Sequence, residues 1–364
     1  MFEEEHVRRT FHMDLTRREC VAIIEYVYKF RKIAFTLKER LSCIMHEIIK
    51  ELSLIGILPV LKIDREEDAV PVGRALTRGG LRCVEVTFRT AAARGSIAKM
   101  AAECPDMLVG AGTVLTTGQV DEAVAAGARF IVTPGLNPMI VRYCQAKGIP
   151  IIPGINDPTG IEQAMVMGLD VVKFFPAQQS GGIEMIKAMG APYIHISFLP
   201  TGGINKSNMN EYLTNKRVIA VGGSWVVNEQ MIRDGDFDGI ARTAREAVDH
   251  MLNFRVEHIG VNCGSEEDAS NCATVCCNAF SFPTNELPVS YFAGEGLEFM
   301  KNGGRGTNGH IAIRTNHVDR AVYHLARRGI EVDMDTVQYN EDGTMRFVYL
   351  KEEIGGFAYH LVKR

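Results

Sequence analysis

The sequence of 364 residues has no uninterrupted apolar run of the ~18 residues that a membrane-spanning helix needs. It has no excess of positive charge either. Forty Lys and Arg stand against 44 Asp and Glu, a net charge of −4, so the basic footprint of a nucleic-acid-binding chain is missing. The opening MFEEEHVRRTFHMDL lacks the basic-then-apolar order of a secretory signal. The 9 cysteines are odd in number and scattered, which argues against a disulfide framework and for a reducing compartment, so the expected location is the cytoplasm. No Gly-x-Gly-x-x-Gly follows the first apolar run, which counts against an open dinucleotide-binding sheet. What remains is ordinary globular material, 46% hydrophobic and 23% charged. The length suggests two domains.

Three segments differ in texture. Residues 1–44 mix charge with apolar residues and contain no Gly or Pro. Ile23, Ile24, Val27 and Phe30 give residues 20–44 the spacing of an amphipathic helix, read as a surface helix, a membrane-surface anchor or an upstream extension ahead of a natural start at Met45. From residue 45 to 252, eight short β-rich runs each precede a helical pattern: GILPVLKI, CVEVTF, LVGAGTV, FIVTPG, IPIIPGI, VVKFFPA, HISFLPTGG and VIAVGGSW. Eight βα units over this length predict an α/β fold, a (β/α)8 barrel of the TIM type, with a doubly wound sheet as the alternative. Residues 253–364 repeat a strand–helix–strands order twice, the copies opening on His-Ile-Gly and His-Ile-Ala. They are expected to form a smaller α+β domain of paired βαβββ units.

In such a barrel, chemistry sits at the C-terminal ends of the strands. Lys173 lies inside the apolar run VVKFFP, on a strand that should be buried. A lysine there is costly unless it has a partner or sheds its proton, and an uncharged amine is what attack on a ketone requires. A purely structural ion pair is the alternative. Alternation in CVEVTF puts Glu85 and Thr87 on one face, so Glu85 shares the interior with Lys173 and can move protons for an imine-forming amine. Arg89, at the strand's mouth, can hold a carboxylate or be a plain surface arginine. The Gly-rich turns TGGI and GGSW end the last two strands, where barrels commonly bind phosphate through backbone N–H groups.

GLRCVEVTFR (80–89) and GLDVVKFFPAQQSG (168–181) resemble the two signature segments of the KDPG/KHG aldolase family. GAGTVL, PGLNP, IPGI, PTGGI and GGSW fall in the family's order over residues 45–252. The resemblance implies a class I, cofactor-free aldolase, commonly a homotrimer. It would cleave 2-keto-3-deoxy-6-phosphogluconate to pyruvate and D-glyceraldehyde 3-phosphate, or 4-hydroxy-2-oxoglutarate to pyruvate and glyoxylate. It implies Lys173 as Schiff-base lysine and Glu85 as general acid/base. Arg89 and Thr113 match carboxylate contacts, and Pro134 and Phe175 match pocket lining. Thr201, Gly202, Gly203, Gly223 and Ser224 match the phosphate site. Three positions depart from the pattern. The strand-five loop carries Asp157, which adds a carboxylate near the mouth where an anionic substrate enters, Lys62 stands where many relatives have Arg, and Gln178 replaces a frequent Glu. These put the preferred aldehyde half in question.

Residues 255–364 resemble the glyoxalase/vicinal-oxygen-chelate superfamily, whose modules often hold a divalent metal. By that resemblance the ligand positions are His258, Glu298, His310 and His360, the last departing from the usual Glu. Two His and one carboxylate can hold Mn, Fe, Ni or Zn. Strand histidines in a degenerate module that covers the barrel or aids assembly are the alternative. Cys272, Cys276 and Cys277 have poor zinc spacing and read as core packing. Partners implied are small 2-keto acids, with no nucleic acid and no membrane. Rival functions are a metal-dependent lyase or isomerase centred on the C-terminal module, and a catalytically silent sugar-acid-binding protein.

Overall fold

The computed structural model describes residues 47–363. The readings of residues 1–44 therefore lie outside the described residues. Helical residues 47–55 (α1) bury Ile48, Leu52 and Ile55, one stripe at helical spacing. Then β1 (Ile57–Leu61), α2 (Ala69–Arg78), β2 (Cys83–Thr87), α3 (Ala93–Glu103), β3 (Leu108–Gly112), α4 (Thr117–Ala125), β4 (Phe130–Val132) and α5 (Pro138–Lys147) alternate. The fifth run is broken at Pro153 into β5 (Ile151–Ile152) and β6 (Gly154–Ile155), followed by α6 (Pro158–Val166). Next come β7 (Val171–Phe174), α7 (Gly182–Gly190), β8 (Ser197–Pro200), α8 (Met209–Leu213), β9 (Val221–Gly223), α9 (Glu229–Asp234) and α10 (Phe237–Leu252).

These strands form a curled parallel sheet. One stretch runs β5-β4-β3-β2-β1-β9 and another β6-β7-β8, and single bridges (Phe198 to Val218, Thr201 to Gly222) link β8 with the chain leading into and along β9. β1, β2 and β3 are buried at every position, because helices cover one face and the other faces inward. Hence the sequence shows continuous apolar runs rather than alternation. The turns that start the helices are capped by side chains: Thr116 on Gln119, Asn137 on Met139, Asp236 on Gly239. Each such cap is worth about 1 kcal/mol.

The C-terminal module is one mixed sheet of eight strands in the order β11-β12-β13-β10-β14-β17-β16-β15. Its first half is β10 (Arg255–Asn262), α11 (Glu266–Phe280), β11 (Thr284–Glu286), β12 (Ser290–Ala293) and β13 (Leu297–Met300). Its second is β14 (Gly309–Arg314), α12 (Val318–Ala326), β15 (Val332–Tyr339), β16 (Met345–Ile354) and β17 (Phe357–Val362). In each half the first strand lies parallel to the last, and the halves meet where β10 runs antiparallel to β14. The sequence did not announce β11, three exposed polar residues at the sheet edge.

The module docks on the strand-entry end of the curled sheet. Val318, Ala321 and Leu325 of α12 join the same core as Ile48, Leu52 and Leu252. Arg320, 6% exposed, donates from Nε to the Ser53 carbonyl (2.9 Å) and from Nη2 to Ile219 (3.0 Å). His324 Nε2 donates to the Ile55 carbonyl (3.2 Å), and Thr315 Oγ1 to Leu252 (2.7 Å). Gly56, at φ +80°, sits where a side chain would collide with Met251 and Arg320. Ser53 and Ile55 precede β1, and Ile219 precedes β9. The module therefore lies at the end opposite the strand C-termini and does not cover the mouth of the sheet. Among the described residues no helix is long and apolar enough to cross a membrane.

Candidate active site

Glu85 on β2 and Lys173 on β7 meet inside the curled sheet. Lys173 Nζ lies 3.2 Å from Glu85 Oε1 and 3.5 Å from Oε2. Their exposures are 0% for Glu85 and 5% for Lys173, so both charges are withdrawn from water and each depends on the other. The neighbouring strand is shaped for the pair: a side chain at Gly112 would overlap the Glu85 carboxylate. A well-packed apolar pair would serve a core at no such cost, so this pair is a candidate for chemistry.

Around it the other expected residues assemble unevenly. Arg89 follows β2, is largely exposed, and donates from Nε to Thr113 Oγ1 at 3.5 Å. Thr113 holds a left-handed backbone at φ 55°, costly for a β-branched residue and of the kind concentrated at functional sites. The Phe175 ring lies 5.4 Å from Lys173 Nζ. A cavity of about 200 Å³ is lined by Lys62, Arg89, Phe175, Thr201, Gly202, Gly203, Gly223 and Ser224, together with Glu229. Gly202 and Gly203, at φ +99° and +75°, form a turn that L side chains resist, and the Thr201 hydroxyl is buried without a hydrogen-bond partner among the described residues.

Three expectations find other employment. Pro134 is half-buried but does not line this cavity, and its carbonyl packs where a side chain at Gly154 would be. Asp157 caps α6, accepting from Gly160 N at 2.8 Å, rather than standing free at the mouth. Gln178 accepts from the buried Tyr212 hydroxyl at 2.8 Å. Sequence reasoning missed Glu229 altogether. As the first residue of α9 it reads only as a favourable helix-start charge.

The four module residues converge on the sheet between β10, β13, β14 and β17. His258 Nε2 and His310 Nε2 are 3.1 Å apart, and they approach the same Glu298 oxygen at 3.3 and 3.1 Å. Ser290 donates to the other Glu298 oxygen at 2.5 Å. Burial by itself would raise the Glu298 carboxyl, but the bonds from His258, His310 and Ser290 overcome it and hold the group well below the usual carboxylate range. Ligand atoms of His258, His310 and His360 all lie within 4.8 Å of one another. His360 is pushed down to about 3 by burial and by the two neighbouring imidazoles, and its Nδ1 is buried without a partner among the described residues. A side chain at Gly260 would strike the His310 ring, so the His-Ile-Gly motif keeps space for the cluster. Cys276 and Cys277 pack against a small cluster with Ala269 and Ala273, whereas Cys272 is exposed. That corrects the core reading for Cys272, which is turned about 100° from Ala273 on the helix.

Comparison with known proteins bears on the first of these sites. The family model described as KDPG and KHG aldolase matches residues 47–243. The chain is 48% identical over 204 residues to the 2-dehydro-3-deoxy-phosphogluconate aldolase of Treponema pallidum, covering 56% of this chain and 97% of that one. It is 42% identical over 193 residues to the KHG/KDPG aldolase of Escherichia coli K12, covering 53% and 91%. A crystal structure of KDPG aldolase from Legionella pneumophila, with pyruvate captured as a covalent carbinolamine intermediate, superposes with a TM-score of 0.53 at 38% identity, covering 55% of this chain and 97% of that chain.

Proposed function

The chain belongs to the KDPG and KHG aldolase family, and from that premise we propose that it is a cytoplasmic class I aldolase acting through Lys173. The reading takes the sheet as a closed (β/α)8 barrel, supported by the pairing of the first strand with the last, β1 with β9. The single observation that carries the reaction is the buried pair of Lys173 and Glu85.

Lys173 Nζ, having given its proton to Glu85, attacks the C2 ketone of a 2-keto-4-hydroxy acid. The proton returns from Glu85 to the carbinolamine oxygen, which leaves as water, and a protonated imine remains. The C4 hydroxyl then loses its proton to the carboxylate while the C3–C4 electrons flow into the imine. The aldehyde departs and an enamine stays behind. Protonation at C3 and hydrolysis of the imine release pyruvate and restore the amine. The imine itself is the electron sink, so the cycle needs no added cofactor. Arg89 and Thr113 hold the C1 carboxylate, and Phe175 shields the amine. The turn of Thr201, Gly202 and Gly203, with Gly223 and Ser224, receives a distal phosphate through backbone N–H groups. Pro134 is assigned to the edge of the pocket on resemblance alone. Products are pyruvate with D-glyceraldehyde 3-phosphate, or pyruvate with glyoxylate from the shorter substrate. The expected homotrimer belongs to the same reading.

Borohydride added with pyruvate should fix one three-carbon adduct per chain on Lys173, read by peptide mass. An adduct on another lysine overturns the assignment. Binding of pyruvate with no adduct at all would favour a silent binding protein instead.

A second reading concerns the module, where the order of the two halves supports a glyoxalase-like unit. Three imidazoles with ligand atoms within 4.8 Å of one another, two of them against Glu298, suit a divalent cation, and the Nδ1 of His360, buried with no partner among the described residues, is a detail an apolar core would not keep. His258, Glu298, His310 and His360 would hold the ion, which would polarise an oxygen of its ligand. Protein supplied with Mn, Fe, Ni or Zn and then desalted should carry about one metal per chain by mass spectrometry. His310→Ala should lose it, and a chelator should leave the aldolase rate unaltered. Metal-free wild-type protein after that treatment sinks the reading.

A further inference from the structure

The cavity beside Phe175 and the Gly-rich turn has an electrostatic arrangement that phosphate recognition alone does not ask for. Lys62, just past β1, lines the cavity beside Gly202, Gly203 and Ser224, and so does Glu229. Lys62 Nζ lies 3.0 Å from Asp64 Oδ1 and 3.6 Å from Glu229 Oε2. Glu229 in turn reaches Arg233 at 3.7 Å. A second cavity of about 180 Å³ lies against the first, sharing Lys62, Glu229 and Ile232 with it as a common wall. Asp64 borders only this second cavity, whereas Glu229 borders both. Glu229 is thus the carboxylate that faces the Gly-rich turn.

From this geometry we infer that Glu229 is a specificity-determining residue that restrains the site's preference for a distal phosphate. A dianion drawn to the Gly202–Gly203 turn shares its cavity with the Glu229 carboxylate, and the Lys62 ammonium that would neutralise it is already engaged on its other sides by Asp64 and Glu229. A substrate such as 4-hydroxy-2-oxoglutarate ends at its C5 carboxylate, a single charge on a shorter chain, and feels that repulsion less than a phosphate dianion does. The lysine and the glutamate together act as a balance: Lys62 attracts the phosphate and Glu229 limits the attraction. The result is a site that handles both substrate lengths instead of committing to the phosphorylated one. Asp64 keeps Lys62 anchored when Glu229 is neutralised, so removal of the charge frees the lysine without casting it loose.

The inference rests on the aldolase reading, and its test separates the two. In Glu229→Gln, the ratio of kcat/KM for 2-keto-3-deoxy-6-phosphogluconate over that for 4-hydroxy-2-oxoglutarate should rise about three- to tenfold, carried by KM. The gain should shrink in 1 M KCl, where charges are screened within about 3 Å. In the Lys62→Met background the same substitution should yield less than half of that gain, because no ammonium is left to free. A ratio that stays within about twofold, or falls, overturns the inference. Inorganic phosphate, titrated into both proteins by calorimetry, reads the cavity without turnover, and its Kd should drop by a similar factor in Glu229→Gln. If wild-type protein cleaves neither substrate but phosphate still tightens, the aldolase reading fails and the role of Glu229 stands. If cleavage is normal and phosphate affinity is unmoved, the role of Glu229 fails alone.

Discussion

At the scale of single residues, Lys173 and Glu85 were legible because each breaks a rule that its neighbours keep. A lysine amid VVKFFP and a glutamate amid CVEVTF stand out against fully buried strands, and the two-residue period of a strand fixes which way each points. Glu229, Lys62 and Arg320 were not readable in that way. A charge in a loop or on an amphipathic helix looks solvated in sequence, and what changes its meaning is a partner far along the chain. For Arg320 the partners are backbone carbonyls more than 100 residues away. The proposed role of Glu85 has a direct consequence. Glu85→Gln keeps the shape and removes the proton carrier, so pyruvate release should fall about 100- to 10,000-fold in kcat. The variant also leaves Lys173 buried without a counter-charge, so a lower melting temperature should accompany the loss. A variant that retains wild-type kcat would remove Glu85 from the mechanism.

At the scale of elements, the apolar runs located every strand from β1 to β9, because parallel strands covered on both faces leave no other pattern. Their ends were less legible. Pro153 splits the fifth run, since proline has no N–H to give the ladder. The stretch after β1 enters its helix through a short 3-10 turn at Glu66–Asp68, which three acidic residues do not distinguish from a helix start. Asp157 was read as a carboxylate for the pocket, but Asp-Pro is also how a helix begins, and capping α6 satisfies its oxygen locally. In the module the repeat was visible in order rather than in identity. The edge strand β11 escaped notice because TNE carries no hydrophobic signal, and its side-chain tie, Glu286 to Lys301, is to a residue distant in sequence. The four candidate metal ligands came together because all sit on inward-facing positions of strands that the two-fold arrangement makes neighbours.

At the scale of the whole molecule, the sequence did not say which end of the curled sheet the module would meet, and that junction contributes to how the protein responds to acid. α12 carries His324 to the strand-entry end of the curled sheet, where burial pushes its imidazole down to about 4, and burial pushes His317, at the start of the same helix, down to about 3. An unfolded histidine titrates near 6.5. Between about pH 6.5 and 4 the unfolded chain therefore binds a proton that the folded chain refuses at His324, so stability falls as pH falls and levels off below the folded value. The penalty at full development is about 3 kcal/mol for His324, with His317 adding in the same direction. Urea unfolding at a series of pH values should show the free energy dropping by up to about 1.4 kcal/mol per unit of pH for each histidine across that window. His324→Asn, whose amide can still donate to the Ile55 carbonyl, should flatten the slope by about one proton while preserving stability near pH 7 better than an apolar replacement. An unchanged slope in that variant would mean that the acid response lies elsewhere, and that this end of the sheet tolerates a charged imidazole after all.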